Sequence, residues 1–179
     1  MKTIYFLCSV CLILISSCNS DDDASNSTGN TQEYFKYTVD GVERVFDHEV
    51  EGHYEATSNA SVRLFEINAS GLYASEGVRR IAAVFSFRNP PTTVLNTNNY
   101  PWGLQDGTSS GQYFYFSEST PNHPFVLDLY QPINAQVTSA IPVNVGDYIE
   151  FSFSGMFTDQ YMVSHTLSGV CRTQRELDQ

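Results

Sequence analysis

Tyr148-Ile149-Glu150-Phe151-Ser152-Phe153-Ser154-Gly155-Met156-Phe157 is the stretch that decides the fold class. In an extended chain Ile149, Phe151, Phe153 and Phe157 share one face, while Glu150, Ser152 and Ser154 share the other. A period of two with one apolar face predicts a strand covering a core. Downstream, Met162–Arg172 reads as the closing strand. Upstream, Phe125–Tyr130 sets Phe125, Leu127 and Leu129 on a single face, and Tyr113–Phe116 sets Phe114 and Phe116 opposite Tyr113 and Tyr115. Arg80–Phe87 aligns Ile81, Ala83, Phe85 and Phe87, and Asn89-Pro90-Pro91 ends that strand because proline removes a ladder donor. Shorter segments near His53–Ser58 and Ser61–Ala69 are parted by Asn59-Ala60. Tyr34–Val39 and Val42–Phe46 flank Asp40-Gly41, a pair suited to the positive φ values of a two-residue hairpin turn. Thr92 to Gly111 is rich in turn residues and reads as irregular. No comparable window carries a helical apolar period. The expected fold is all-β: an antiparallel β-sandwich or flattened barrel of about seven to nine strands.

The N-terminus has a different character. Met1-Lys2-Thr3 precedes an apolar run from Ile4 to Ile15, then Ser16-Ser17-Cys18. A positive charge, a short apolar core and small residues form an export signal. The run is twelve residues long, against the roughly 20 that cross a bilayer core. Ile15-Ser16-Ser17-Cys18 resembles the lipobox of bacterial lipoproteins, in which signal peptidase cuts before the cysteine and its thiol carries diacylglycerol. That resemblance implies lipidation at Cys18, a signal peptide over 1–17 and membrane attachment through acyl chains, each buried methylene worth about 0.8 kcal/mol. Residues 18–32 are small, polar and unpatterned, a flexible tether. The Asp21-Asp22-Asp23 triplet within it resembles the surface-export signal of Bacteroidota-type lipoproteins, which implies the outer face of the outer membrane. Residues 33–175 then form a single domain, and 176–179 a C-terminal tail.

Composition excludes several classes. The chain has 179 residues and a net charge of −11, and Lys36 is its one lysine beyond Lys2. Nucleic acid is excluded as a partner, since neutralising phosphate needs basic stripes. With Cys8 and Cys11 in the signal and Cys18 acylated, Cys171 has no partner for an intrachain disulfide. A core position suits it better than a reactive one.

Both ends of the domain resemble small Bacteroidota lipoproteins. Val145-Gly146-Asp147-Tyr148 leads into a strand ending Ser154-Gly155-Met156-Phe157, followed by Leu167-Ser168-Gly169-Val170-Cys171-Arg172. This is similar to that group's paired strands ending in Ser-Gly-x-Phe and Ser-Gly-x-Phe-x-x-Arg, with Cys171 where the group has phenylalanine. Tyr37-Thr38-Val39-Asp40-Gly41 matches its first hairpin. The resemblance implies fold and location; the group has no established activity.

Catalytic and metal motifs do not assemble. His48-Glu49-Val50-Glu51-Gly52-His53 spaces its histidines five apart, whereas a zinc-protease helix needs four. Asp47, Glu49 and Glu51 lack the alternating acids and central glycine of a calcium loop, so a solvated acidic loop is expected. His123 lies in a turn and His165 in the last strand, and no Gly-x-Ser-x-Gly elbow stands in a strand-turn-helix context. No metal, cofactor or catalytic residue is assigned. A hydrolase built from distant residues remains an alternative.

Tyr100-Pro101-Trp102-Gly103-Leu104-Gln105-Asp106-Gly107 holds the single tryptophan in a polar loop. Tyr100, Trp102, Asp106, Tyr113 and Tyr115 are the candidate ligand residues: aromatic faces would stack on sugar rings and the acid would bond their hydroxyls. The plainer reading turns the Trp102 ring into one end of the core. The expected function is that of a non-catalytic, lipid-anchored cell-envelope module that binds or displays, with a glycan or surface protein as partner. A glycan-binding accessory of a nutrient-uptake system is the sharper alternative.

Overall fold

The computed structural model describes residues 32–56, 61–73, 77–88, 94–103, 111–128, 130–139 and 142–179. The signal, Cys18, the tether as far as residue 31, and Asp106 lie outside these residues.

The described residues form ten strands within one compact unit, residues 32–179. They are β1 (Tyr34–Val39), β2 (Val42–Phe46), β3 (His48–Glu55), β4 (Val62–Tyr73), β5 (Gly77–Arg88), β6 (Asn99–Pro101), β7 (Gln112–Glu118), β8 (Ile133–Val137), β9 (Tyr148–Thr158) and β10 (Ser164–Gln174). One sheet has the order β2-β1-β10-β9-β8-β6 and the other β3-β4-β5-β7, antiparallel throughout. The two pack face to face as a sandwich, open rather than closed into a barrel.

Alternation drives the packing. Ile149, Phe151, Phe153 and Phe157 of β9 are buried, as the period of two requires. Across the interior Phe85 meets Phe151 at 4.9 Å, Phe114 meets Phe153 at 5.3 Å, and Phe35 meets Phe116 at 5.4 Å between ring centroids. Burying each such side chain stabilises the fold by roughly 1.5–3 kcal/mol. Gly169 also faces in; a Cβ there would overlap the Phe153 ring and stand 2.6 Å from the Lys36 carbonyl oxygen. Cys171 is buried two residues further on, in the core position expected.

The β1–β2 turn follows the sequence reading, with Asp40 at φ 48° and Gly41 at φ 82°. Other segments depart from it. The acidic run from His48, expected as a loop, forms β3, whose register slips between His48 and Glu51 where Glu49 adopts φ 49°. Such a bulge lets Val50, Gly52 and Tyr54 face the core while Glu49 and Glu51 stay wet. β6 arises inside the stretch expected to be irregular, and β8 was not anticipated. Conversely, 125–128 is not a strand: only Phe125 bridges, to Glu118, and Tyr130 sits at φ 67°. Phe125 and Leu127 still turn inward, so the alternation reflects a half-buried crossover without a ladder. Leu129 lies outside the described residues.

The expected tail at 176–179 is tied down. The Glu176 amide donates to the Gly52 carbonyl and the Gln179 amide to that of Tyr54, at 2.6 and 3.1 Å, covering the edge of β3.

Candidate functional site

The sequence-derived ligand residues separate on folding. Tyr100 is fully buried, its hydroxyl accepting from the Asn96 amide at 3.1 Å. Trp102 is 1% exposed and plugs the gap between β6 and β7, its ring 5.8, 5.1 and 5.4 Å from those of Phe114, Tyr115 and Phe116. The indole N–H donates to the Asp128 carbonyl at 3.1 Å. A stacking platform on Trp102 is therefore corrected to a core cap: the ring has more apolar surface to bury than a polar loop can leave in water. Tyr113 and Tyr115 are half-buried on the outer face of β7. Asp106 lies outside the described residues.

A different set converges where the β1–β2 and β9–β10 turns meet the 124–128 crossover. These segments enclose a cleft of about 560 Å³. Its floor is Val39, Phe125, Leu127 and Phe157, and its rim holds Val126, Asp128, Asp159 and Tyr161. Tyr161 is 76% and Val126 66% exposed, and Met162 beside the rim is 84% exposed. Apolar side chains this open, grouped around a cavity, mark an interaction site far better than scattered ones do.

The turn that carries them is held by one carboxylate. Asp159 Oδ1 accepts the amides of Tyr161 and Val163 at 2.9 and 2.8 Å, and its backbone N–H donates to the Val163 carbonyl at 2.9 Å. Met162 can then adopt φ 64°. These amide bonds hold the Asp159 carboxyl below its ordinary value, with His165 adding to the effect. His165 locks the two hairpins together: Nδ1 is 2.7 Å from Asp40 Oδ2 and Nε2 is 3.4 Å from Asp159 Oδ2. The bond to Asp40 raises the imidazole above its ordinary value, and reciprocally lowers Asp40. With both nitrogens held by carboxylates, His165 has no free lone pair to serve as a base.

Beneath the cleft lies a buried carboxylate. Glu118, 1% exposed, accepts from the Tyr37 hydroxyl, the Thr120 hydroxyl and Arg44 Nη1, the last at 2.9 Å. Burial, reinforced by Glu118, holds the Tyr37 hydroxyl protonated far above its ordinary range. A buried charge with three donors is a satisfied structural group. Burial likewise pushes the Cys171 thiol well up, away from the thiolate that nucleophilic chemistry needs. Among the described residues no three His, Cys, Asp or Glu side chains converge as a metal site requires.

A second concavity, of about 400 Å³, lies on the outer face of the larger sheet between Lys36, Glu43, Ser152 and Ser168. Its Thr38 and Ser168 hydroxyls bond each other at 2.8 Å, and no exposed aromatic lines it. The end cleft joins an apolar floor to polar groups and is the stronger site.

The sequence reading missed this cleft, although Asp159-Gln160-Tyr161-Met162-Val163 carried a signal: a turn-forming acid followed by three apolar residues between strands. No protein-family model, curated protein or solved structure matches the chain.

Proposed function

We propose that the chain is a non-catalytic lipoprotein of the cell envelope, anchored through Cys18 to the outer membrane, whose β-sandwich displays a binding end. Ile15-Ser16-Ser17-Cys18 and the acidic triplet behind it support the anchoring and the outward location.

The observation that carries the display reading is the separation between two ends of the larger sheet. β1 begins at Tyr34, paired with Arg172, whereas the cleft lies beside Ser164, paired with Thr158. Between Arg172 and Ser164 β10 covers eight residues, about 27 Å at a strand's rise of roughly 3.4 Å per residue. The start of β1 and the cleft therefore lie at opposite ends of the larger sheet. Trp102, 1% exposed, offers no face on which a sugar could stack.

Labelling of intact cells tests this reading. Gln160→Cys puts an exposed thiol on the turn, while Cys171 is buried and silent. A membrane-impermeant maleimide should modify the variant on whole cells, and Cys18→Ser should abolish cell-associated labelling. Modification only after lysis would overturn outward display, and retention of the Cys18→Ser protein in the membrane fraction would overturn the lipid anchor.

A further inference from the structure

The end cleft pairs an apolar floor with an excess of negative charge. Among the described residues its lining holds two cationic groups, Arg44 and His165, and two carboxylates, Asp128 and Asp159, while Asp40 behind His165 and the buried Glu118 behind Arg44 add two more negative charges. Arg44 is turned inward to Glu118 and to the His123 carbonyl at 3.1 Å, and His165 is shared by Asp40 and Asp159. Asp128 remains exposed on the rim, beside Val126 and across from Tyr161. At −11 the whole chain adds a long-range field of the same sign.

A lysine or arginine side chain matches this arrangement along its length. Its methylene stem can lie on Phe125, Val126 and Tyr161 while its cationic head reaches the rim carboxylates, and the exposed tyrosine ring adds cation–π attraction. An adjacent aliphatic residue would fill the floor over Phe157 and Val39. The turn is already fixed by the Asp159 amide bonds, so little ordering cost remains on this side of the contact.

We infer that the end cleft docks a segment of a partner protein in which a basic residue neighbours an aliphatic one. The inference rests on the display reading above but concerns the chemistry of the occupant, so the two fail separately: whole-cell labelling tests display, whereas the experiment below uses purified protein.

The full chain in detergent, labelled at its methionine methyls, supplies the reporters: Met162 beside the rim and Met156 on the outer face of β9 as a control. The probe is the peptide acetyl-Gly-Lys-Leu-Lys-Leu-Gly-amide, compared with counterparts in which glutamate replaces lysine or serine replaces leucine. The lysine–leucine peptide should shift the Met162 methyl and leave Met156 in place, with affinity at least about tenfold above either counterpart. Tyr161→Ser should weaken binding about tenfold, and Tyr161→Phe should retain it. Asp128→Asn should narrow the preference for lysine over glutamate. Tyr161 and Asp128 are exposed, so these variants keep the fold, and an unmoved Met156 signal checks that. Equal binding of all three peptides, or an unchanged Met162 methyl at about 1 mM peptide, would overturn the inference. A Met162 shift that tracks protein concentration without peptide would also overturn it, assigning the face to a second copy of the chain.

Discussion

Replacing Arg44 with methionine removes the cation that pairs with Glu118 and leaves, at 1% exposure, a carboxylate held by the Tyr37 and Thr120 hydroxyls. Breaking one side of a buried pair costs about 3–5 kcal/mol, because the remaining charge stays out of water. The Arg44 side chain is itself 29% exposed, so solvent can partly fill its place, and about 3 kcal/mol is the expected loss. For a domain of this size that lowers the thermal midpoint by about 6–12 °C. That loss comes from an uncompensated charge rather than from missing contacts, and a second substitution separates the two. Glu118→Gln alone keeps an acceptor for the hydroxyls and should cost about 1–2 kcal/mol. Combined with Arg44→Met it removes the stranded charge, so the double variant should lose only about 2 kcal/mol, a coupling of about 2–3 kcal/mol. Urea unfolding followed by the emission of Trp102, the single tryptophan, reads all three variants. A double variant that loses the sum of the single losses, within about 0.5 kcal/mol, would refute the argument.

Trp102 itself should emit at short wavelength and resist aqueous quencher in the native state, and red-shifted, quenchable emission would contradict its place between β6 and β7. The His165 clip should strengthen native stability most between the ordinary carboxylate value of 3.8 and the ordinary imidazole value of 6.5. Its lowered carboxylates lose their contribution as pH falls through their folded values, and its raised imidazole loses its own as pH rises through the folded value. His165→Asn should flatten both limbs of the thermal midpoint against pH. Gly169→Ala should destabilise by about 1–3 kcal/mol or more, since the new methyl meets the Lys36 carbonyl as well as a ring; an unchanged midpoint would mean the sheet yields there. Cys171 should ignore a thiol reagent until urea unfolds the chain.

What could be read in advance was whatever depends on local alternation. β9 and β5 declared themselves because Phe151, Phe153, Phe85 and Phe87 recur at every second position over long runs, and the first hairpin because Asp40-Gly41 is a turn pair with a steric reason behind it. β8 escaped because Ile133-Asn134-Ala135-Gln136-Val137 alternates weakly around a small alanine, and its pairing with β9 supplies the order that its own residues do not. β3 was legible only from His53 onward, because a bulge at Glu49 breaks the period before it. Residues 125–128 misled in the opposite sense: the alternation is present but the ladder is not. The cleft was legible only in part. The apolar turn tip stood in plain view, but Asp40 and His165 are 125 residues apart and Glu118 and Arg44 are 74 apart. Nothing in their neighbours announces that they meet. Trp102 was ambiguous because a polar loop and a sandwich edge look alike until Phe114 and Phe116 are known to stand opposite.

The pairing of β1 with β10 has a consequence for the order in which the protein is made. Tyr34 finds its neighbour in Arg172, so the middle of the larger sheet joins the first strand of the domain to the last. Until the ribosome has delivered residues 164–174, β1 and β2 form a hairpin with an open flank and β9 has nothing on one side. Folding then waits on closure of a loop of more than a hundred residues, a topology associated with slow, late collapse. Shortened products that stop before Ser164 would lack the seam that joins the two halves of the sheet, and their exposed strand edges would invite aggregation and proteolysis.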